Sequence, residues 1–340
     1  MHLTRRAFTA ATAAALAATP ALASPARKPI VIAHRGASGE RPEHTLMGYR
    51  LAVDQGCDFI EPDLVLTMDG VLVVRHENEI SGTTDIASRR EFAVRRTAKF
   101  IDGEKVEGWF AEDFTLAELK TLRARERLPD LRPGSAKFDG REAVPTFQEV
   151  IDLATAESRR VGRTIGVYPE MKHPAFLASL GLPIEARLAA ALKTNGLDAR
   201  DAPVFVQCFE AAPLATFKTL SKARRVQLVG AGNPAMVSAE GLKAIAQYAD
   251  GVGPDWSMVL PTLDGALGPP SALVADAHAV GLLVHPWTVR AENRFLPAKL
   301  RRGTSLAEHG DAEAVFLALY AAGVDGVFSD FPGLAVAARG

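Results

Sequence analysis

The sequence predicts an α/β protein, a (β/α)8 TIM barrel with an insertion after the second strand. Three observations lead there. Short apolar runs alternate with amphipathic stretches, the pattern of a parallel sheet with helices outside it. About eight such units fit in the chain, the number that closes a barrel. The first run is followed by Gly36 and Gly39, a spacing that does not make the glycine-rich phosphate loop of open doubly wound sheets.

Residues 1–23 stand apart from this pattern. Thr4-Arg5-Arg6-Ala7-Phe8 is a twin-arginine motif, an alanine-rich apolar segment runs to Ala18, and Ala21-Leu22-Ala23 fits a small-residue cleavage site. This reads as an export signal of the twin-arginine type, which places the mature protein in the periplasm or outside the cell. The apolar segment is too short and too poor in large residues for a membrane span, so no stable membrane insertion is expected. Removing it takes away two arginines and no acid, so the net charge moves from −1 to −3. Neither value suits a nucleic-acid binder, which needs a basic face.

Residues 24–340 are expected to form one barrel domain. Strands are expected over 30–33, 58–66, 71–75, 164–170, 203–207, 225–229, 251–253, 281–285 and 325–328. Helices are expected over 43–55, 146–158, 183–195, 211–221, 238–248, 270–280, 311–322 and 331–338. The four-residue run 30–33 is closed by His34-Arg35-Gly36, as a buried strand is closed by glycine. The 71–75 run folds back on the second strand through Met68-Asp69-Gly70, an Asp-Gly turn. Between about 78 and 143 the alternation stops, and no strand is expected there. The segment carries Arg89-Arg90, Arg95-Arg96, Trp109-Phe110 and a Phe114-Thr115-Leu116 patch that opens a short helix. It is expected to cap the barrel mouth and shape a pocket, with its arginine pairs in solvent. Cys57 precedes the second strand and Cys208 follows the fourth, near opposite barrel ends, so two free thiols are expected.

Side chains alternate along a strand, so Glu61 and Asp63 share a face. Two carboxylates on one buried face repel and are costly to desolvate. A hard cation relieves that cost; arginine partners, or a solvated strand edge, would also do so. His34, Glu61, Asp63, Glu170 and Lys172 all fall at or near the carboxyl ends of expected strands, where barrels carry their sites.

His34-Arg35-Gly36, Pro42-Glu43-His44-Thr45, Glu61-Pro62-Asp63 and His76 after Val71–Arg75 resemble the glycerophosphodiester phosphodiesterase family, in its periplasmic form. The resemblance continues through Glu170-Met171-Lys172, Val252–Asp255, Thr288-Val289-Arg290 and Gly326–Pro332, so it covers nearly the whole mature chain. It implies hydrolysis of glycerophosphodiesters, such as glycerophosphocholine, to glycerol 3-phosphate and an alcohol. It implies one divalent cation on Glu61, Asp63 and Glu170, with calcium favoured over magnesium. It implies His34 as general base and His76 as general acid. Arg35 and Lys172 would face the phosphate, Gln207 the substrate or a metal-bound water, and Trp287 the glycerol. Relatives often place Asp after the second histidine; here Glu77 follows it.

The remaining histidines have milder readings. His44 is as good a hydrogen-bonding residue as a catalyst, His173 would support the site from its second layer, and His285 is a candidate for the rim. His278 is expected in solvent and His309 beside a helix start. Trp256 could wall the pocket or simply pack. A barrel acting on lipid, a noncatalytic exported binding protein and a sugar isomerase are the rival functions.

Overall fold

The computed structural model describes residues 28–340; the twin-arginine motif and its cleavage region lie outside them. Eight staves surround one axis. They are Ile30–His34, then Phe59–Glu61 continued by Asp63–Leu66, then Gly166–Val167 continued by Glu170–Met171. Phe205–Cys208, Arg224–Val229, Gly251–Pro254, Leu283–Val284 and Gly326–Ser329 complete the set. From the eighth stave through the first and on to the seventh, neighbouring staves pair in parallel, and the eighth lies against the first with Ile30 opposite Gly326 and Ala33 opposite Ser329. Between the seventh and eighth, Asp325 N–H donates to Val284 O at 2.9 Å and Val289 N–H to Phe328 O at 2.9 Å, which closes the ring.

The second and third staves differ from the unbroken runs expected over 58–66 and 164–170. Pro62 and Pro169 interrupt them, because proline has no N–H to give the ladder. Pairing continues on the carbonyl side, where Pro62 O accepts from Glu170 N–H at 3.0 Å and Pro169 O from Gln207 N–H at 2.9 Å. The hairpin strand Leu72–Val74 pairs antiparallel with Asp63–Leu66 across the Asp69-Gly70 turn, as expected.

Helices follow each stave. The first begins at Leu46 rather than at residue 43. His44 has a φ of 58°, which no helix residue adopts, and the Thr45 hydroxyl caps the helix by accepting from Gly48 N–H. Glu43 and His44 are thereby kept out of the helix and turned toward the barrel mouth.

The barrel axis is filled by Ile32, Phe59, Tyr168, Phe205, Val226 and Phe328. Gly166 leaves room for this plug, since a Cβ there would sit 2.2 Å from the Phe59 ring. Two residues farther along the same staves stand His34, Glu61, Glu170, Gln207, Leu228 and Asp330. The period of two thus sets a polar floor on an aromatic plug, which shuts the site off from the other end of the barrel.

The insertion does contain strands. Thr97–Ile101 and Glu104–Gly108 form an antiparallel hairpin whose turn residues, Asp102 and Gly103, have φ values of 51° and 86°. An Asp-Gly pair is the preferred hairpin turn, so the signal was present. Mostly exposed charged strands without an apolar run concealed it. The insertion packs Ile80, Ile86, Phe92, Trp109 and Phe114 on Val65 and Val73. It gives no side chain to the lining of the central cavity, contrary to expectation; Asp102 reaches a second cavity beside it. Arg89, Arg95 and Arg96 make ion pairs at or near the surface with Glu91, Glu118 and Glu107.

One insertion residue goes deep. Arg132 is buried, donates from Nε to Glu292 Oε1 at 2.6 Å, from Nη1 to Ser38 O at 2.9 Å, and from Nη2 to Asp330. Removing one member of such a network leaves the others buried and unpaired. Arg132→Ala is expected to cost about 3–5 kcal/mol, read as a lower denaturant midpoint with an unchanged m-value. A shift below about 1 kcal/mol would show that the network does not brace the insertion.

Cys57 and Cys208 are both buried and unpaired, and burial pushes the Cys57 thiol up to about 12. Among the described residues no helix is long and apolar enough to cross a membrane.

Candidate active site

The central cavity lies over the polar floor. His34, Arg35, His76, Glu170, Gln207, Phe209, Trp287 and Arg290 line it. His34 ends the first stave and is hydrogen-bonded through Nδ1 to Asp330 Oδ1 at 2.5 Å. Asp330 also binds Arg132 and Arg290, whose charges keep its carboxyl well below the usual range in spite of burial. Burial first, and then Arg35, lowers the His34 pKa to about 3. His34 is therefore neutral at pH 7. Its Nδ1–H faces an anion, so Nε2 carries the free lone pair.

Arg35 follows with a φ of 60°. That left-handed turn points its N–H at Glu61 Oε2, 2.8 Å away. Its guanidinium lies 3.2 Å from both Glu43 Oε2 and Asp63 Oδ2. His44 bridges the Tyr49 hydroxyl, 2.8 Å from Nδ1, and Asp63 Oδ2, 2.9 Å from Nε2. Burial lowers the His44 pKa, so the neutral ring donates to Asp63 and accepts from Tyr49. It orients Asp63 and is absent from the cavity lining.

Glu61, Asp63 and Glu170 each offer an oxygen, and the three oxygens lie within 4.8 Å of one another. All three residues are buried. Burial, with Asp63 and Glu170 close by, pushes the Glu61 carboxyl well above its ordinary value. Burial also raises Glu170, to about 7, even though Lys172 Nζ lies 2.9 Å from Oε1 and opposes the shift. Asp63 moves the other way, because Lys172 and Arg35 outweigh its burial. Its Oδ1 is buried and has no hydrogen-bond partner, and neither has Gln207 Oε1 in the same cluster. Two orphaned acceptors among three carboxylates fit a bound cation, and oxygen-only donors suit a hard one.

His76 stands across the cavity, with Nδ1 2.7 Å from Glu77 Oε1 and Nε2 3.3 Å from Lys172 Nζ. Burial first, then Arg35 and Lys172, lowers its pKa to about 4. Trp287 walls the cavity and donates Nε1–H to Gly253 O at 2.7 Å, while Trp256 packs half-buried on the main core.

One other histidine sits away from its expected place. His285 is buried under the floor, its Nδ1 2.8 Å from the Tyr168 hydroxyl, because it packs on the aromatic plug and not at the rim. His278 is exposed near the end of its helix, as expected, and pairs with Asp325 at 2.8 Å. His309 rests on the Phe331 ring. Sequence reading gave no role to Asp330, Glu77, Glu43, Arg290 or Phe209. Asp330 and Arg290 stood in motifs already singled out; the strand-end position of Asp330, just past Ser329, was the available signal.

A (β/α)8 barrel whose mouth gathers three acids, two neutral histidines and two cations is the framework of an enzyme that hydrolyses phosphoric diesters. Residues 34–334 match the Glycerophosphoryl diester phosphodiesterase family, and the chain belongs to it. It is 33% identical to a glycerophosphodiester phosphodiesterase of Arabidopsis thaliana, over 90% of this chain and 84% of that protein. It is 30% identical to one from Haemophilus influenzae, over 89% and 87%. Among solved structures, a glycerophosphoryl diester phosphodiesterase from Silicibacter pomeroyi matches with a TM-score of 0.68 at 22% identity, covering 92% of each chain. A phosphodiesterase of Oleispira antarctica, solved with the product sn-glycerol-3-phosphate, matches with a TM-score of 0.61 at 24% identity, covering 91% and 96%.

Proposed function

We propose that the chain hydrolyses glycerophosphodiesters to glycerol 3-phosphate and an alcohol, with one divalent cation on Glu61, Asp63 and Glu170. The observation that carries this reading is the orphaned Asp63 Oδ1 among three buried carboxylates, one of which, Glu170, lines the cavity together with His34 and His76. The cation, when bound, supplies positive charge to the nonbridging phosphate oxygens. Calcium is the ion we favour, since a cluster of carboxylate and amide oxygens suits its flexible coordination.

Arg35 lines the cavity, Lys172 reaches its edge with Nζ 2.9 Å from Glu170 Oε1 and 3.3 Å from His76 Nε2, and the two bind the phosphate anion. His34, neutral with a free Nε2, takes the proton of the nucleophile. We favour the neighbouring glycerol hydroxyl as that nucleophile, because an internal group attacks with a high effective concentration. This expels the alcohol and leaves a cyclic glycerol phosphate, which water then opens to glycerol 3-phosphate, the two histidines exchanging the roles of base and acid in that second step. His76 delivers a proton to the departing oxygen. A phosphate anion beside it offsets the field of Arg35 and Lys172 and so raises the protonated fraction of His76. Trp287 lies against the glycerol. The leader with Arg5 and Arg6 supports export to the periplasm.

The deciding experiment is turnover of glycerophosphocholine by the mature protein and by the periplasmic fraction. Activity is expected to vanish with chelator and return with calcium, and a diester without the free glycerol hydroxyl is expected to react far more slowly. Full activity in chelator would rule out the cation, and no turnover with any divalent ion would leave a binding protein.

A further inference from the structure

Beside the central cavity, three loops meet through side chains that the proposed mechanism does not use. Glu77 is exposed and follows His76. Its two carboxylate oxygens are shared between two imidazoles: Oε1 lies 2.7 Å from His76 Nδ1, and Oε2 lies 2.9 Å from His173 Nε2. His173 in turn places Nδ1 2.7 Å from Asp102 Oδ2. Asp102 is the first turn residue of the insertion's hairpin. A line of hydrogen bonds therefore runs from Glu77 through His173 to the tip of the insertion, and the other oxygen of Glu77 lies in close ionic contact with His76.

The chemistry of the line is settled by its ends. Carboxylates only accept, and each nitrogen of His173 faces one. Both nitrogens must then carry hydrogen, so His173 is an imidazolium between two anions. Its pKa is raised accordingly: burial works against the charge, but the hydrogen bonds to Glu77 and Asp102 outweigh it. The backbone holds the ring in place. His173 has a φ of 44° and precedes Pro174, the first residue of a helix, while Lys172 before it is fixed by Leu64 O. A half-exposed glutamate with one partner would exchange rotamers in solvent. With one oxygen tied to a fixed cation, Glu77 keeps the other aimed at His76.

We propose that His173 and Asp102 are positioning residues for the acid step. Through Glu77 they hold the His76 ring with Nδ1 against a carboxylate, which leaves Nε2 for the leaving oxygen. The insertion thus serves catalysis by its hairpin tip, without lining the pocket. This rests on the acid role given to His76.

The test compares glycerophosphocholine with a glycerol phosphodiester of p-nitrophenol, whose leaving group departs as an anion and needs no proton. His173→Asn suits the site, since asparagine tolerates a positive φ. It is expected to lose about tenfold in kcat on glycerophosphocholine and less than about twofold on the nitrophenyl ester. Asp102→Gly, which tolerates the φ of 51° on this exposed turn, is expected to lose in the same selective way, and Asp102→Asn, which still accepts from Nδ1–H, to lose less. Should His173→Asn fail to fold, the two Asp102 variants carry the test alone. Equal losses on both esters, or no loss on either, would overturn the proposal. His76→Ala is the control on which it stands. If His76→Ala itself loses equally on both esters, the acid role fails; if His76→Ala is selective and the positioning variants are not, only the relay fails.

Discussion

His34→Ala is expected to lower kcat/KM by about 10²–10⁴-fold, the range a single general base supplies. The loss should be equal on glycerophosphocholine and on the nitrophenyl ester, because deprotonating the nucleophile is needed for both. That equality separates His34 from His76. The fold should survive the change. Asp330 loses one partner but keeps Arg132 and Arg290, so its charge stays compensated. Thermal unfolding and circular dichroism are therefore expected to remain close to wild type. A His34→Ala protein that keeps wild-type kcat/KM would remove the base from the mechanism.

Asp63→Ala is expected to abolish activity at any cation concentration. Asp63 is the acid with a free oxygen toward the cluster and a second oxygen tied to Arg35 and His44. The variant also leaves the buried His44 Nε2–H without its acceptor, at a cost of about 1–3 kcal/mol. A pH series gives a second readout. The Glu170 carboxyl, at about 7 when folded, binds protons more tightly than in the unfolded chain. Stability from this group is full below the unfolded value near 4.5 and falls as pH rises toward 7 in the absence of cation. A cation replaces those protons. Calcium should accordingly raise the melting temperature more at pH 7.5 than at pH 5 in the wild type, and not at all in Asp63→Ala. A calcium shift that survives in Asp63→Ala would move the ion elsewhere.

What could be read in the sequence followed from local periodicity. Alternation gave the barrel, and the period of two placed Glu61 beside Asp63 on the inner face. The Asp69-Gly70 hairpin was legible for the same reason. Features made by distant pairs were not. His34 meets Asp330 across 296 positions, and Arg132 meets Glu292 across 160. No window of sequence contains both partners, and a buried arginine looks locally like any surface arginine. His173 stood next to a proline, and only its left-handed backbone brings it between Glu77 and Asp102. The interruptions at Pro62 and Pro169 were visible as residues, but apolar character alone did not weigh the missing N–H.

The first stave is hydrogen-bonded to the eighth, and the base at the end of one is oriented by Asp330 just past the other. During synthesis the segment Ile30–His34 therefore keeps an open edge until Gly326–Ser329 has emerged. A nascent chain halted ahead of residue 326 has an uncovered first strand and a His34 without Asp330. The base acquires its orienting carboxylate only when the eighth stave joins the first.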